Sequence, residues 1–162
     1  MSLLLLRRRY PELLSNIGFE TAGAGAPDYF ASWTEAAGTG SIARTTTAGE
    51  VYAGTAAAKL TAGASDTTYI YQNIVTVPGV TYRLSGQARG DGTNPGRFSL
   101  YDNSNSAYIV NRASTGITGS TYAVFSQQFT APAGCVSVSV MLHAPAAAAA
   151  WACFDDVSCK RK

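Results

Sequence analysis

Residues 136–143 alternate two kinds of side chain: Val136, Val138, Val140 and Leu142 against Ser137, Ser139, Met141 and His143. A period of two sends successive side chains to opposite faces of an extended chain, so this stretch reads as a strand with one buried face. Tyr82, Leu84, Gly86 and Ala88 alternate in the same way with Thr81, Arg83, Ser85, Gln87 and Arg89. Further strands are expected at 42–46, 57–61, 68–77, 97–102, 108–112, 123–129 and 152–159. Turn chemistry separates them at Pro78-Gly79, Gly90-Asp91-Gly92, Asn94-Pro95-Gly96, 116–119 and 132–134. Helical periodicity shows only faintly, at 10–14. The alanine run 146–150 follows Pro145 and lies between two strands, so a loop is favoured over its helix propensity. Nine or ten short strands with frequent turns predict an all-β fold, a jelly-roll β-sandwich of two antiparallel sheets.

At 162 residues the chain suits one domain with a self-sufficient core. Charged residues make up only 14%, well below the roughly 25% of an average soluble domain, which favours a loop-rich β scaffold. A formal charge of +2 is too small to argue for nucleic acid, and the basic runs Arg7-Arg8-Arg9 and Lys160-Arg161-Lys162 read as solvated ends. At the start, Leu3 to Leu6 precede the arginines, the reverse of a secretory signal. Nothing approaches the roughly 18 apolar residues of a membrane span. Residues 1–13 are expected to form an arm, with Leu3, Leu4, Leu5, Leu6, Arg7, Arg8, Arg9 and Tyr10 as its assembly contacts, and 14–162 the sandwich. The arm packs on its own domain or, with some preference, on a neighbouring subunit.

Three cysteines leave at least one unpaired in a monomer. Cys153 and Cys159 share one extended stretch of about 20 Å and do not bridge without a turn between them. Cys135 meets Cys159 only if the last two strands pair directly. With one histidine and no Cys-x-x-Cys spacing, a zinc site has little support. His143 reads as an ordinary strand-end residue. Catalysis finds no foothold either: His143 has no recognisable nucleophile motif beside it, and no two acids suggest a glycosidase pair. Asp66, Asp91 and Asp102 lie in turn-like surroundings. The chain is therefore expected not to be an enzyme.

Two acidic motifs stand at opposite ends of the strand-rich region, Asn16-Ile17-Gly18-Phe19-Glu20 and Phe154-Asp155-Asp156-Val157. Distant strands of a sandwich often lie side by side, and two buried carboxylates brought together need a cation. Calcium accepts such hard oxygen ligands in irregular geometry. The alternative is that Glu20 and Asp155 are solvated loop acids.

These two motifs, with Trp33, the stretch from Gly54 to Leu60, Gln72 and Val77-Pro78-Gly79-Val80-Thr81-Tyr82-Arg83-Leu84-Ser85 between them, resemble the carbohydrate-binding-module jelly rolls of the family 4, 9 and 22 type. The resemblance runs in order from about residue 14 to 159. It implies a structural calcium held by the side chains of Glu20 and Asp155 and the carbonyls of Gly18 and Lys59. Strand parity puts Asp155 on the inward side with Cys153 and Val157, and Asp156 outward. It also implies non-catalytic binding of polysaccharide, for which flat aromatic faces and planar polar groups are needed. The candidates are Tyr71, Tyr101, Tyr108, Arg97 and Gln72, with Trp33 expected in the core.

Two functions follow as expectations. Without a catalytic domain, linker or secretory signal, and with an apolar and basic arm, the chain is similar to small jelly-roll proteins of phage capsids and tails. That predicts a structural, decoration or attachment component of a virion, assembled in the host cytoplasm, partnered by its own copies or other virion proteins and touching glycans. The alternative is a free-standing, extracellular carbohydrate-binding module. Neither reading involves nucleic acid or a membrane.

Overall fold

A computed structural model of the chain describes residues 10–65 and 67–162. Among them, twelve strands follow in order: β1 (Ala22–Gly25), β2 (Asp28–Phe30), β3 (Thr34–Ala36), β4 (Ser41–Thr45), β5 (Ala57–Thr61), β6 (Tyr69–Val75), β7 (Thr81–Arg89), β8 (Arg97–Asp102), β9 (Ala107–Ser114), β10 (Ala123–Thr130), β11 (Ser137–His143) and β12 (Trp151–Arg161). One five-stranded sheet has the order β10-β7-β12-β5-β4, the other β3-β6-β11-β8-β9, and β1 and β2 form a separate hairpin. All pairings are antiparallel. This is the jelly-roll sandwich that the alternation predicts, and β4 to β12 fall where it expects them. The strands β1, β2 and β3 go beyond the expected set, because three or four residues carry too little alternation to register.

The core lies between the two sheets. Val138, Val140 and Leu142 of β11 meet Leu84 and Ala88 of β7 and Phe154 of β12. Phe125 stacks on Phe98 at 5.6 Å and meets Phe154 edge-on at 6.1 Å. Phe19, Phe30 and Trp33 form a second aromatic knot, with Phe19 5.2 Å from Phe30 and 5.3 Å from Trp33. Trp33 is thus a core residue, as expected.

Residues 10–14 are extended rather than helical. Glu12 bridges to Lys160, the Leu13 N–H donates to the Cys159 carbonyl, and the Glu12 carboxylate accepts the Cys159 N–H and the Ser158 hydroxyl. Partners on β12 satisfy the backbone here, so the segment gains nothing by coiling. Leu14 is buried and Leu13 packs on the core, so both leucines serve their own domain. Of the expected assembly arm, Tyr10 sits under the Arg161 guanidinium, 5.6 Å from its ring. Leu3 to Arg9 lie outside the described residues, as does Asp66.

The parity expected of β12 is broken. Ala152 and Phe154 face the core, but so do Val157 and Cys159, because a bulge between Asp155 and Ser158 shifts the register by one residue. Asp156, at φ 45°, takes up the shift. Asp155 and Cys153 therefore point away from the inter-sheet core, and both are nonetheless fully buried. Asp155 is covered by the loop between β4 and β5, whose Tyr52 and Ala53 amides reach it. The Cys135–Cys159 pairing is also excluded: β11 and β12 belong to different sheets, and all three cysteines are free and buried.

Candidate functional site

The outer face of the second sheet carries a tyrosine-lined groove. On β6, Ile70 and Ile74 face the core, which sends Tyr69, Tyr71 and Asn73 outward. Across the sheet Tyr71 pairs with Met141, Asn73 with Ser139, Ser139 with Tyr101, and Tyr101 with Tyr108. Three of the predicted residues, Tyr71, Tyr101 and Tyr108, are thereby gathered from three strands. Together with Tyr69, Ser139 and Met141 they line a groove of about 330 Å³. Met141 and Ser139 form its floor, Tyr69 and Tyr71 one wall, Tyr101 and Tyr108 the other. The walls are braced internally: Tyr101 meets Tyr108 edge-on at 4.9 Å, and Tyr69 lies 6.2 Å from Tyr71.

Beside the tyrosines runs a strip of polar side chains. The Ser139 hydroxyl lies 2.7 Å from Asn73 Oδ1 and 3.0 Å from Asn103 Oδ1, and Asn103 Nδ2 donates to the Ser137 hydroxyl. Both asparagines are exposed, so their planar amides combine fixed orientation with access to solvent. Aromatic faces next to oriented amides can take the C–H surface and the hydroxyls of a sugar together. The sequence reading missed Tyr69, Ser139, Met141, Asn73 and Asn103. The period of two that exposes Tyr71 would have found Tyr69 and Asn73.

The same period excludes Gln72. Its side chain leaves the opposite face of β6, accepting the Ser15 N–H at 2.7 Å and donating to the Ser15 carbonyl at 3.1 Å. It acts as one more rung of backbone pairing for residues 14–16, and is corrected from sugar contact to structural clamp. Arg97 starts β8 on the tyrosine side, but its guanidinium donates to the Ala144 and Pro145 carbonyls and pins the turn after β11. His143 ends β11 as expected, buried, with Nε2 2.9 Å from the Ser99 hydroxyl.

The acidic motifs do converge. A Cβ placed on Gly18 would lie 3.5 Å from Asp156 Oδ1, 3.6 Å from Asp155 Oδ1 and 3.7 Å from Glu20 Cγ. Glu20 accepts the Thr55 N–H, the Thr55 hydroxyl and the Ala56 N–H, and the Thr55 hydroxyl above all lowers its pKa. Asp155 accepts the Tyr52, Ala53 and Asp156 N–H groups. Burial still outweighs them and raises its pKa. No cationic side chain among the described residues pairs with Asp155. Lys59 lies mid-strand opposite Cys153, its ammonium bound to Glu50. No group of three or more His, Cys, Asp or Glu side chains among the described residues is arranged to hold a metal. Calcium would therefore need carbonyl ligands such as Gly18, and the uncompensated buried charge of Asp155 beside other hard oxygens fits that chemistry.

In shape the sandwich is similar to a xylan-binding domain of family 22 from Paenibacillus barcinonensis, with a TM-score of 0.70, 16% identity and coverage of 94% of this chain and 95% of that one. A Stig cyclase from Fischerella sp. TAU gives 0.71 at 14% identity, covering 95% and 98%. The enzymatically active domain of a tailspike protein of bacteriophage CBA120 gives 0.68 at 12% identity, with 93% of this chain but only 21% of that one covered. No curated protein sequence matches the chain. Likeness at these identities establishes the fold. In sequence, the model of the carbohydrate binding domain matches residues 11–149, from the segment beside β12 into the alanine run before it. With most of the chain covered, and the family's sandwich found with a tyrosine groove on one sheet, this protein belongs to the carbohydrate binding domain family.

Proposed function

We propose that this chain binds a polysaccharide along the outer face of its second sheet and performs no chemistry on it. The observation that carries the reading is the gathering of Tyr69, Tyr71, Tyr101 and Tyr108 around a floor of Met141 and Ser139, with the Asn73 and Asn103 amides, joined by the Ser139 hydroxyl, alongside. Four aromatic rings left half-exposed on a surface serve packing poorly and a flat apolar ligand well. Of the two expected functions, the carbohydrate-binding module is the one we adopt. The virion reading leans on an arm whose residues 1–9 lie outside the described residues and on a shared fold with one tailspike domain, and fold does not fix function. The test is a glycan array followed by titration calorimetry on the best hit, with wild type and Tyr101→Ala. Binding to an extended neutral glycan, weakened at least fivefold by the substitution, supports the groove. Binding that ignores Tyr101 removes it.

We infer further that a calcium ion is held near Gly18 by Glu20 and Asp155 together with main-chain carbonyl oxygen. Bound there, it would neutralise the buried carboxylate and fix the loop between β4 and β5. The support is the convergence of these oxygens and the absence of a counter-charge for Asp155 among the described residues. Its role is structural, since the tyrosine groove lies on the other sheet.

A further inference from the structure

A second pocket lies away from the tyrosine groove, between the β1–β2 hairpin and the strands β3 and β4. Ala26, Pro27, Tyr29, Ala37 and Ile42 give it apolar walls, Glu35 and Ser41 its polar groups, and its volume is about 430 Å³. Small-molecule sites commonly measure about 300–1,000 Å³ and combine apolar walls with a few placed polar groups. Glu35 is held in position from behind. Its Oε1 accepts the Tyr29 N–H at 2.9 Å and the Phe30 N–H at 2.8 Å, and its other carboxylate oxygen has no protein partner among the described residues.

The pocket also carries unbalanced charge. Asp28, folded over its own β1–β2 hairpin with Oδ2 accepting the Ala24 N–H, adds a second negative charge near Glu35. No cationic side chain among the described residues pairs with either acid. Burial and the Asp28 charge both push the Glu35 carboxyl above its ordinary range, as expected of an acid lacking a counter-charge. An aromatic ring beside an unpaired carboxylate suits a ligand with a cationic group on an apolar frame.

We propose that this pocket binds a sugar unit carrying a free ammonium group, with the ammonium on Glu35 and the ring against Tyr29 and Pro27. The choice of a sugar rests on the polysaccharide-binding reading above; the choice of a cation rests on the pocket alone. General electrostatic attraction does not supply the same preference, because the chain's net charge is +2.

The test compares glucosamine oligosaccharides with their N-acetylated and neutral glucose counterparts of equal length, by calorimetry and by amide chemical shifts of the full chain. The expected result is at least tenfold tighter binding of the glucosamine oligomer. That preference is abolished by Glu35→Gln, which keeps an acceptor for the Tyr29 and Phe30 amides, and by Ser41→Lys at an exposed position on the pocket's rim. Tyr101→Ala leaves it intact. Equal binding of the three oligomers, no binding of the glucosamine oligomer, or a preference that survives both pocket variants overturns the proposal. A preference lost in Tyr101→Ala instead assigns it to the groove. Failure of the groove shows separately, as neutral-glycan binding that is absent or indifferent to Tyr101.

Discussion

Glu20 and Asp155, far apart in the chain, grip neighbouring stretches of one loop. Asp155 Oδ2 accepts the N–H groups of Tyr52 and Ala53 at 3.0 and 3.1 Å, and Glu20 accepts those of Thr55 and Ala56 at 3.0 and 3.4 Å. Between them sits Gly54 at φ 70°, where a Cβ would stand 2.1 Å from Glu20 Oε1. The carboxylates thus hold the covering of the first sheet whether or not a cation joins them.

Gly54→Ala should lower stability by about 2 kcal/mol or more, since it combines a strained backbone with displacement of Glu20. Chemical denaturation reads this directly. A loss below about 0.5 kcal/mol would mean that the loop shifts freely and that the clamp is unimportant.

Calcium should raise the melting temperature of the wild type, and chelation should reverse the rise. Glu20→Ala should lose stability under both conditions, because it also frees the Thr55 and Ala56 amides, but the calcium-dependent increment should shrink. An increment equal in wild type and variant would take Glu20 out of the metal site, and no increment in the wild type would take calcium out of the account.

The two acids should have opposite pH signatures without calcium. Asp155 is raised above 3.8, so the folded protein holds more protons than the unfolded between 3.8 and the raised value, and stability falls as pH climbs through that window. Glu20 is lowered below 4.5, so its contribution is present above 4.5 and is lost as pH falls through the lowered value. Comparing pH–stability curves of Asp155→Asn and Glu20→Gln with wild type should remove one slope each, of opposite sign. Matching signs would show that the burial of Asp155 is relieved in solution.

On the second sheet, Gln72→Ala and Tyr101→Ala should separate fold from binding. Losing the Ser15 pairing should cost about 1–2 kcal/mol of stability with glycan affinity unchanged. Tyr101→Ala should cost about 1–2 kcal/mol of binding, roughly 5- to 30-fold in Kd, with a smaller loss of stability. Reduced affinity in Gln72→Ala would return that residue to the site.

All three cysteines should resist thiol reagents in the native state. Burial pushes Cys153 and Cys159 up to about 12 and raises Cys135 as well. Reaction should therefore follow the global unfolding rate, and rapid labelling of any of the three would show that its covering opens locally.

The sandwich is legible in the sequence, because period-two alternation leaves an extended chain only one face to bury and the turn residues mark where each strand ends. The resemblance that the sequence carries offers Tyr71, Tyr101 and Tyr108 as candidates alongside Arg97 and Gln72, and its two end motifs pair Glu20 with Asp155. Tertiary structure decided what these residues do. Gln72 and Tyr71 are neighbours in sequence, but opposite faces of β6 make one a clamp for Ser15 and the other a groove wall. The bulge at Asp156 brings Val157 to the core face already occupied by Phe154, so Asp155 and Val157 point opposite ways and Asp155 lies under a loop, an outcome that parity counted from Val157 misjudges because one extra residue reverses it. The pocket at Glu35 left no mark in the sequence at all: β1, β2 and β3 are too short to show a period, and their side chains meet only once the chain has folded.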